Sequence, residues 1–172
     1  MINIRVLKKS DKREGFSCGE IELDYFFQKY VGQNQFKHYI GVTYIATDDY
    51  TIFGFATVSM ATLSKEDFDS KKQKKLPLYP LPVLKLSRMG VQKEYQGEGF
   101  GLSLIKMVFK LALEQKERVG CIGVVVDAKE DAVEFYKKLG FIELEVKSGT
   151  VKRYPMPKPM FISIGLLEQA LS

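Results

Sequence analysis

Between the extended run VLKLSRMGV and the helical run LSLIKMVFKLALEQ stands EYQGEGFG, Glu94 to Gly101, with three glycines in five residues and no Ser, Thr or Asn to cap the helix that follows. Ordinary caps satisfy the first helical N–H groups with a side-chain oxygen. Gly97, Gly99 and Gly101 strip this turn of side chains, so an anion can approach bare N–H groups at the positive end of a helix dipole. A pyrophosphate suits such a cradle. Two nucleotide motifs fail on spacing: the P-loop needs a Lys where Leu102 stands, and the dinucleotide fingerprint G-x-G-x-x-G is here G-x-G-x-G. A tight strand-to-helix turn without a ligand is the alternative reading of the same residues.

The other chemistry-bearing residues are sparse. His38 is the single histidine, so no His-rich metal site is available and a His-based triad is not expected. Cys18 and Cys121 have no neighbouring base in the sequence and read as small buried residues. Asp127 and Glu130 follow a β-branched run, where they either hold a water or sit as charges at a helix start. Arg88 falls in register with Leu84 and Leu86, where a lone cation calls for a partner. Gln33, Asn34 and Gln35 form a polar stretch after a first helix, either lining an acceptor groove or merely solvated.

These residues need elements to position them. Asn3 to Leu7 reads as a short strand. Leu23, Phe26, Phe27, Tyr30 and Val31 recur at helical spacing, with Gly32 near the helix end. IGVTYIAT and IFGFATVSMATL read as strands joined by a turn at DDYT, and a Lys-rich loop with Lys71, Lys72, Lys74 and Lys75 follows, closed by Pro77, Pro80 and Pro82. After VLKLSRMGV, a helix over about 99–118 carries a narrow polar seam at Ser103, Lys106, Lys110, Glu114 and Glu117, so it packs on a sheet. CIGVVVDA suits a strand covered on both faces. Ala132, Phe135, Tyr136 and Leu139 line a second helix that stops at Gly140. FIELEV and VKRYPM make a final strand pair about KSGT, and ISIGLLEQAL reads as a terminal helix. The fold class is therefore α/β (α+β): a mixed, mostly antiparallel sheet with a central βαβ unit and helices on both faces.

The 172 residues fit a single domain, 1–172, and an apolar fraction of 45% without any run near 18 apolar residues predicts a soluble chain. With no signal-peptide apolar region and two cysteines, the expected compartment is the cytoplasm. The net charge of +5 favours polyanionic partners, although the lysine loop reads first as solvated.

The run Gln96-Gly97-Glu98-Gly99-Phe100-Gly101 resembles the Q/R-x-x-G-x-G/A acyl-CoA loop of the GNAT N-acetyltransferases, and FYKKLGF, Phe135 to Phe141, is similar to the end of their next helix. The stretches FSCGEIELDYFFQKYVGQNQ, LSRMGVQKEYQGEGFG, VVVDAKEDAVEFYKKLGF and RYPM resemble, more loosely, the subgroup that includes aminoacyl-tRNA-acetylating toxins. The resemblance implies direct transfer of an acetyl group from acetyl-CoA to an amine. It sets the backbone of Met89 and Val91 along the pantetheine arm, and the N–H groups of Gln96, Gly97, Glu98, Gly99, Phe100 and Gly101 on the pyrophosphate. Tyr136 matches the family's general acid, and it also belongs to an apolar stripe, so the acid and core readings both stand. The general base is unassigned. The subgroup adds an aminoacyl-tRNA acceptor and an antitoxin protein as partners, beside a small amine or protein N-terminus as acceptor, a non-catalytic acyl-CoA-binding module and a homodimer.

Overall fold

A computed structural model describes residues 1–145 and 157–171. Its strands follow the order β1-β2-β3-β4-β5-β7-β6. The chain divides into two compact units, Met1–Ser59 with Leu86–Val108, and Met60–Lys85 with Phe109–Ser172.

In the first unit, β1 (Asn3–Val6) pairs antiparallel with β2 (Val42–Thr47), which pairs antiparallel with β3 (Ile52–Leu63). The predicted turn is real: Asp48 Oδ1 accepts the N–H groups of Tyr50 and Thr51 at 2.9 and 2.7 Å. The first helix is built in three pieces, α1 (Ile21–Tyr25), a π-turn (Phe26–Tyr30) and α2 (Val31–Phe36). It therefore runs four residues past Gly32, and Gln33 to Gln35 are helical, not a loop. The wide turn carries Tyr30 off the predicted apolar stripe. Phe27 and Val31 are buried, whereas Tyr30 is 41% exposed and meets Tyr25 edge-on at 5.4 Å. Phe27 stacks on Phe55 at 4.5 Å and Phe16 closes on both rings, giving a core with Leu7, Cys18, Val31 and Ile45.

The lysine stretch of the second unit is more ordered than the sequence suggests. Ser64 and Asp67 form a capping box over a short 3-10 turn, Lys65–Asp67, and Asp69 caps α3 (Ser70–Gln73). β4 (Leu81–Val91) starts two residues before the predicted run and includes Pro82. α4 (Phe100–Arg118) keeps its predicted polar seam exposed and buries Leu104, Ile105, Val108, Phe109 and Ala112. β5 (Gly123–Ala128) is followed by a 3-10 turn at Glu130–Ala132, by α5 (Val133–Leu139) and by β6 (Ile142–Glu143). α5 ends, as predicted, on Gly140 at φ 106°.

One expectation needs correcting. The sequence reading passed directly from VKRYPM to a helix, whereas Lys158–Ser163 forms a strand, β7, antiparallel to both β5 and β6, before α6 (Ile164–Leu171). VKRYPM lies outside the described residues. Phe68, Leu81, Val83, Val125, Leu144 and Phe161 form the core of this unit.

Gly123 sits where β5 and β7 approach too closely for a side chain. A Cβ there would collide with the Ile162 carbonyl oxygen and lie 2.7 Å from the Phe161 ring. Gly123→Ala should therefore destabilise the protein by about 1–3 kcal/mol, read as a lower urea midpoint, despite alanine's small size.

Candidate active site

The glycine turn is built from its two ends inward. Where β4 finishes, the Gln92 N–H donates to the Phe53 carbonyl and the Lys93 N–H to the Ser17 carbonyl, both at 2.8 Å. A 3-10 turn, Lys93–Tyr95, leads to Gln96, whose Nε2 donates to the carbonyls of Cys18 and Val91 at 2.9 and 3.0 Å. Gln96 thus anchors the loop, and its own N–H is turned back onto Lys93 at 3.4 Å. Beyond it the backbone takes left-handed conformations at Gly97 (φ 84°) and Gly99 (φ 90°). A side chain is strained there, yet a Cβ on either would meet nothing within 4 Å. These two glycines serve conformation and openness, not crowding.

The first intrahelical bond of α4 runs from Ser103 N–H to Gly99 O at 3.0 Å. Among the described residues, the N–H groups from Gly97 to Leu102 have no acceptor. They form a row of donors at the N-terminus of a 19-residue helix. Aromatic rings hold that row in place. Phe100 stacks on Phe53 at 4.8 Å with an interplanar angle of 3°, while Tyr95 meets Phe53 edge-on at 4.8 Å. The residues just before and after the glycine excursion therefore rest on one buried ring. Phe53 was not singled out from the sequence, because its partners lie some forty residues away. Beneath the turn a Cβ on Gly54 would lie 3.0 Å from the Gly90 carbonyl, so β3 and β4 are close-packed there. A Cβ on Gly101 would meet Met89 and Val91 at 3.9 Å, an ordinary contact that sets both β4 residues against the turn. Glu98 is exposed.

Tyr136 lies on α5 in the second unit, buried between the ring edges of Phe135 and Phe141 at 5.3 and 5.2 Å. Burial pushes its phenol up to about 12, so it is fully protonated at neutral pH. No hydrogen bond to its hydroxyl is found among the described residues. Other sequence candidates have structural employment. Asp127 is paired with Lys85 at 3.2 Å. Gln35 bridges the Leu7 carbonyl and the Thr43 N–H. Arg88, expected on a core face, is exposed with its guanidinium 4.4 Å from the Phe26 ring centroid, a cation–π contact that supplies its partner. The Cys18 thiol is pushed up to about 11 by burial and by Asp24, which makes it a poor nucleophile. No group of residues suited to a metal ion occurs among the described residues.

A sequence model of the acetyltransferase (GNAT) domain matches residues 12–158. The chain belongs to the GNAT acetyltransferase family. A tRNA-acetylating toxin of Mycobacterium tuberculosis is 26% identical over 140 residues, 80% of this chain and 82% of that one. The solved structure of AtaT complexed with acetyl-methionyl-tRNAfMet superposes with a TM-score of 0.85 at 26% identity, covering 100% of both chains. AtaTR bound with acetyl-CoA superposes with a TM-score of 0.79 at 26% identity, covering 99% of this chain and 98% of that one. Among the described residues, no helix of this acetyltransferase is long and apolar enough to cross a membrane.

The turn yields a graded test. Gly99→Ala should lose about 1–2 kcal/mol of stability through its left-handed backbone, and Gly101→Ala much less. Gly99→Glu adds a carboxylate beside the free N–H groups, so acetyl-CoA affinity should collapse in calorimetry well beyond the stability loss it shares with Gly99→Ala.

Proposed function

We propose that this acetyltransferase moves an acetyl group from acetyl-CoA directly to the amino group of an aminoacyl-tRNA, and that residues 1–172 act as one catalytic domain. The observation that carries the donor half is the row of acceptor-free N–H groups from Gly97 to Leu102 at the start of α4. Such a row suits a pyrophosphate, whose oxygens accept several hydrogen bonds at once. In this reading Gly97, Glu98, Gly99, Phe100 and Gly101 bind through their backbone, Gln96 anchors the loop, and the backbone of Met89 and Val91 follows the pantetheine arm. The single-domain reading is supported by the family match, whose residues 12–158 include parts of both units.

Tyr136 is the proposed general acid. Transfer from a thioester leaves a thiolate that must be protonated, and a phenol kept neutral by burial, with no hydrogen bond to break among the described residues, can donate its proton. The acceptor half rests on likeness to the toxins and on the net charge of +5, which favours a polyanionic acceptor. The same likeness brings an antitoxin protein as a partner, and a charged tRNA acceptor implies a cytoplasmic enzyme.

Purified protein incubated with labelled acetyl-CoA should label aminoacylated tRNA and not the same tRNA deacylated. Label on a small amine or protein N-terminus instead would overturn the acceptor.

Tyr136→Phe keeps the ring and removes only the hydroxyl. Turnover should fall about 10²- to 10⁴-fold with acetyl-CoA affinity nearly unchanged. Because no hydrogen bond to the described residues is lost, thermal stability should barely move. Activity within a few-fold of the wild type would return Tyr136 to the core.

The sign of the Tyr136 shift also sets the pH dependence. The acid loses its proton only as pH approaches about 12, so the rate profile should show no descending limb from this group up to about pH 10. The unfolded tyrosine ionises near pH 10. Stability from this group is therefore complete below that pH and is lost as pH rises toward 12, a loss that Tyr136→Phe should lack in alkaline unfolding.

A further inference from the structure

The segment between β1 and α1 does not wander over the surface. It lies antiparallel along one row of the first helix. Gln28 Nε2 donates to the Phe16 carbonyl at 2.8 Å, the Arg13 guanidinium lies across Gly32, and Lys9 Nζ stands 5.5 Å from the Phe36 ring centroid. Positions 28, 32 and 36 are one helical turn apart, so they share a face. Gln35 fixes the near end of the segment by donating to the Leu7 carbonyl at 3.1 Å. Gly32 lets the guanidinium lie close, since a Cβ there would come within 3.0 Å of Arg13 Nη2.

This seating fixes two cations on neighbouring turns, about 6 Å apart along the helix axis. Lys12 lies between them in the segment, and Lys37 is exposed directly after Phe36. Among the described residues none of Lys9, Lys12, Arg13 and Lys37 has a carboxylate partner. Asp11, in the same segment, is occupied: Arg5 donates to its two oxygens at 2.9 and 2.8 Å. Glu14 is the exposed acid nearby. Arg13 Nε is buried without a hydrogen-bond partner, which marks the arginine as held in place by packing and not by an ion pair. Two residues beyond Lys37, Tyr39 has a φ of 57° and is 83% exposed, so a strained backbone presents an exposed aromatic ring near the helix end.

We propose that this face, Lys9, Lys12, Arg13 and Lys37 with Tyr39, is a docking surface for the phosphodiester backbone of RNA. The inference rests on the aminoacyl-tRNA reading above and names the surface that would hold the tRNA body. Exposed cations without carboxylate partners on the segment and just past the helix end, with an exposed ring two residues beyond Lys37, fit a phosphate chain bearing bases. An acidic peptide would use the cations but would not need the ring.

The test replaces Lys9, Lys12 and Lys37 with Ser together, leaving Arg13 as the packing residue. Binding of deacylated tRNA, measured against salt, should weaken with a slope shallower by about three in log–log terms. Tyr39→Ala should weaken binding without changing the slope. Replacing Lys71, Lys72, Lys74 and Lys75 with Ser should leave the slope as it is. In turnover, the triple variant should raise KM for aminoacyl-tRNA by at least tenfold and leave kcat/KM for an aminoacyl-adenosine, which lacks the phosphate chain, unchanged. An unchanged slope in the folded triple variant, or a slope lost only in the Lys71–Lys75 variant, overturns the surface. So does a triple variant that loses an acidic peptide's binding while keeping tRNA's. The binding arm needs no acetylation, so a wild type that binds tRNA through this face without acetylating it defeats the acceptor reading and not the surface.

Discussion

One buried ring sets the conditions for everything the first unit does. Tyr95 and Phe100 both rest on Phe53, which pins the entry and exit of the glycine excursion and leaves only Gln96 to Gly99 between them. A polypeptide stretch with two left-handed glycines would ordinarily sample many conformations, at an entropic cost to any ligand that needs one of them. Here the two aromatic contacts, with the Gln96 amide bonded to two carbonyls, hold the main chain before a ligand arrives. Donors can stay free of internal acceptors because rings and an amide, not the N–H groups themselves, keep the turn in place.

The second unit follows a different logic around Tyr136. Its phenol is flanked by aromatic edges, and among the described residues burial without a hydrogen-bond partner raises the cost of ionisation. That desolvation holds the phenol in its protonated form across the neutral range. Loop and tyrosine thus represent two ways of tuning a group by withholding a partner: hydrogen-bond acceptors from an amide row, and counter-charge from a phenol.

What the sequence disclosed was local. The glycine turn, the polar seam of α4, the Asp48 turn and the stop at Gly140 each depend on residues within a few positions of one another, and each was legible. Phe53 was not, since its value comes from Tyr95 and Phe100 far along the chain. Arg88 was misjudged because alternation along β4 gives no reading where the strand passes from a covered stretch, Leu81 to Leu86, to an exposed one at Ser87 and Arg88. β7 was missed because Pro157 and Pro159 punctuate its start and only Met160, Phe161 and Ile162 remain as a strand signal. The helix was cut short at Gly32 on propensity, whereas the helix continues to Phe36 with the Arg13 guanidinium lying across that glycine.

The place of β7 bears on the order in which the molecule assembles. This strand is the hydrogen-bonded neighbour of both β5 and β6, yet it follows them in the chain, with Val124 waiting for Ile162. Gly140, at the end of α5, packs closely toward Ile162 and Leu166. During synthesis, α5 and Tyr136 leave the ribosome before the strand that completes their sheet. Pairing across so long a separation is slow, because the intervening chain must first be closed into a loop. The helix bearing Tyr136 thereby waits for a strand made after it, and a nascent chain stalled short of residue 163 carries the tyrosine without its finished surroundings.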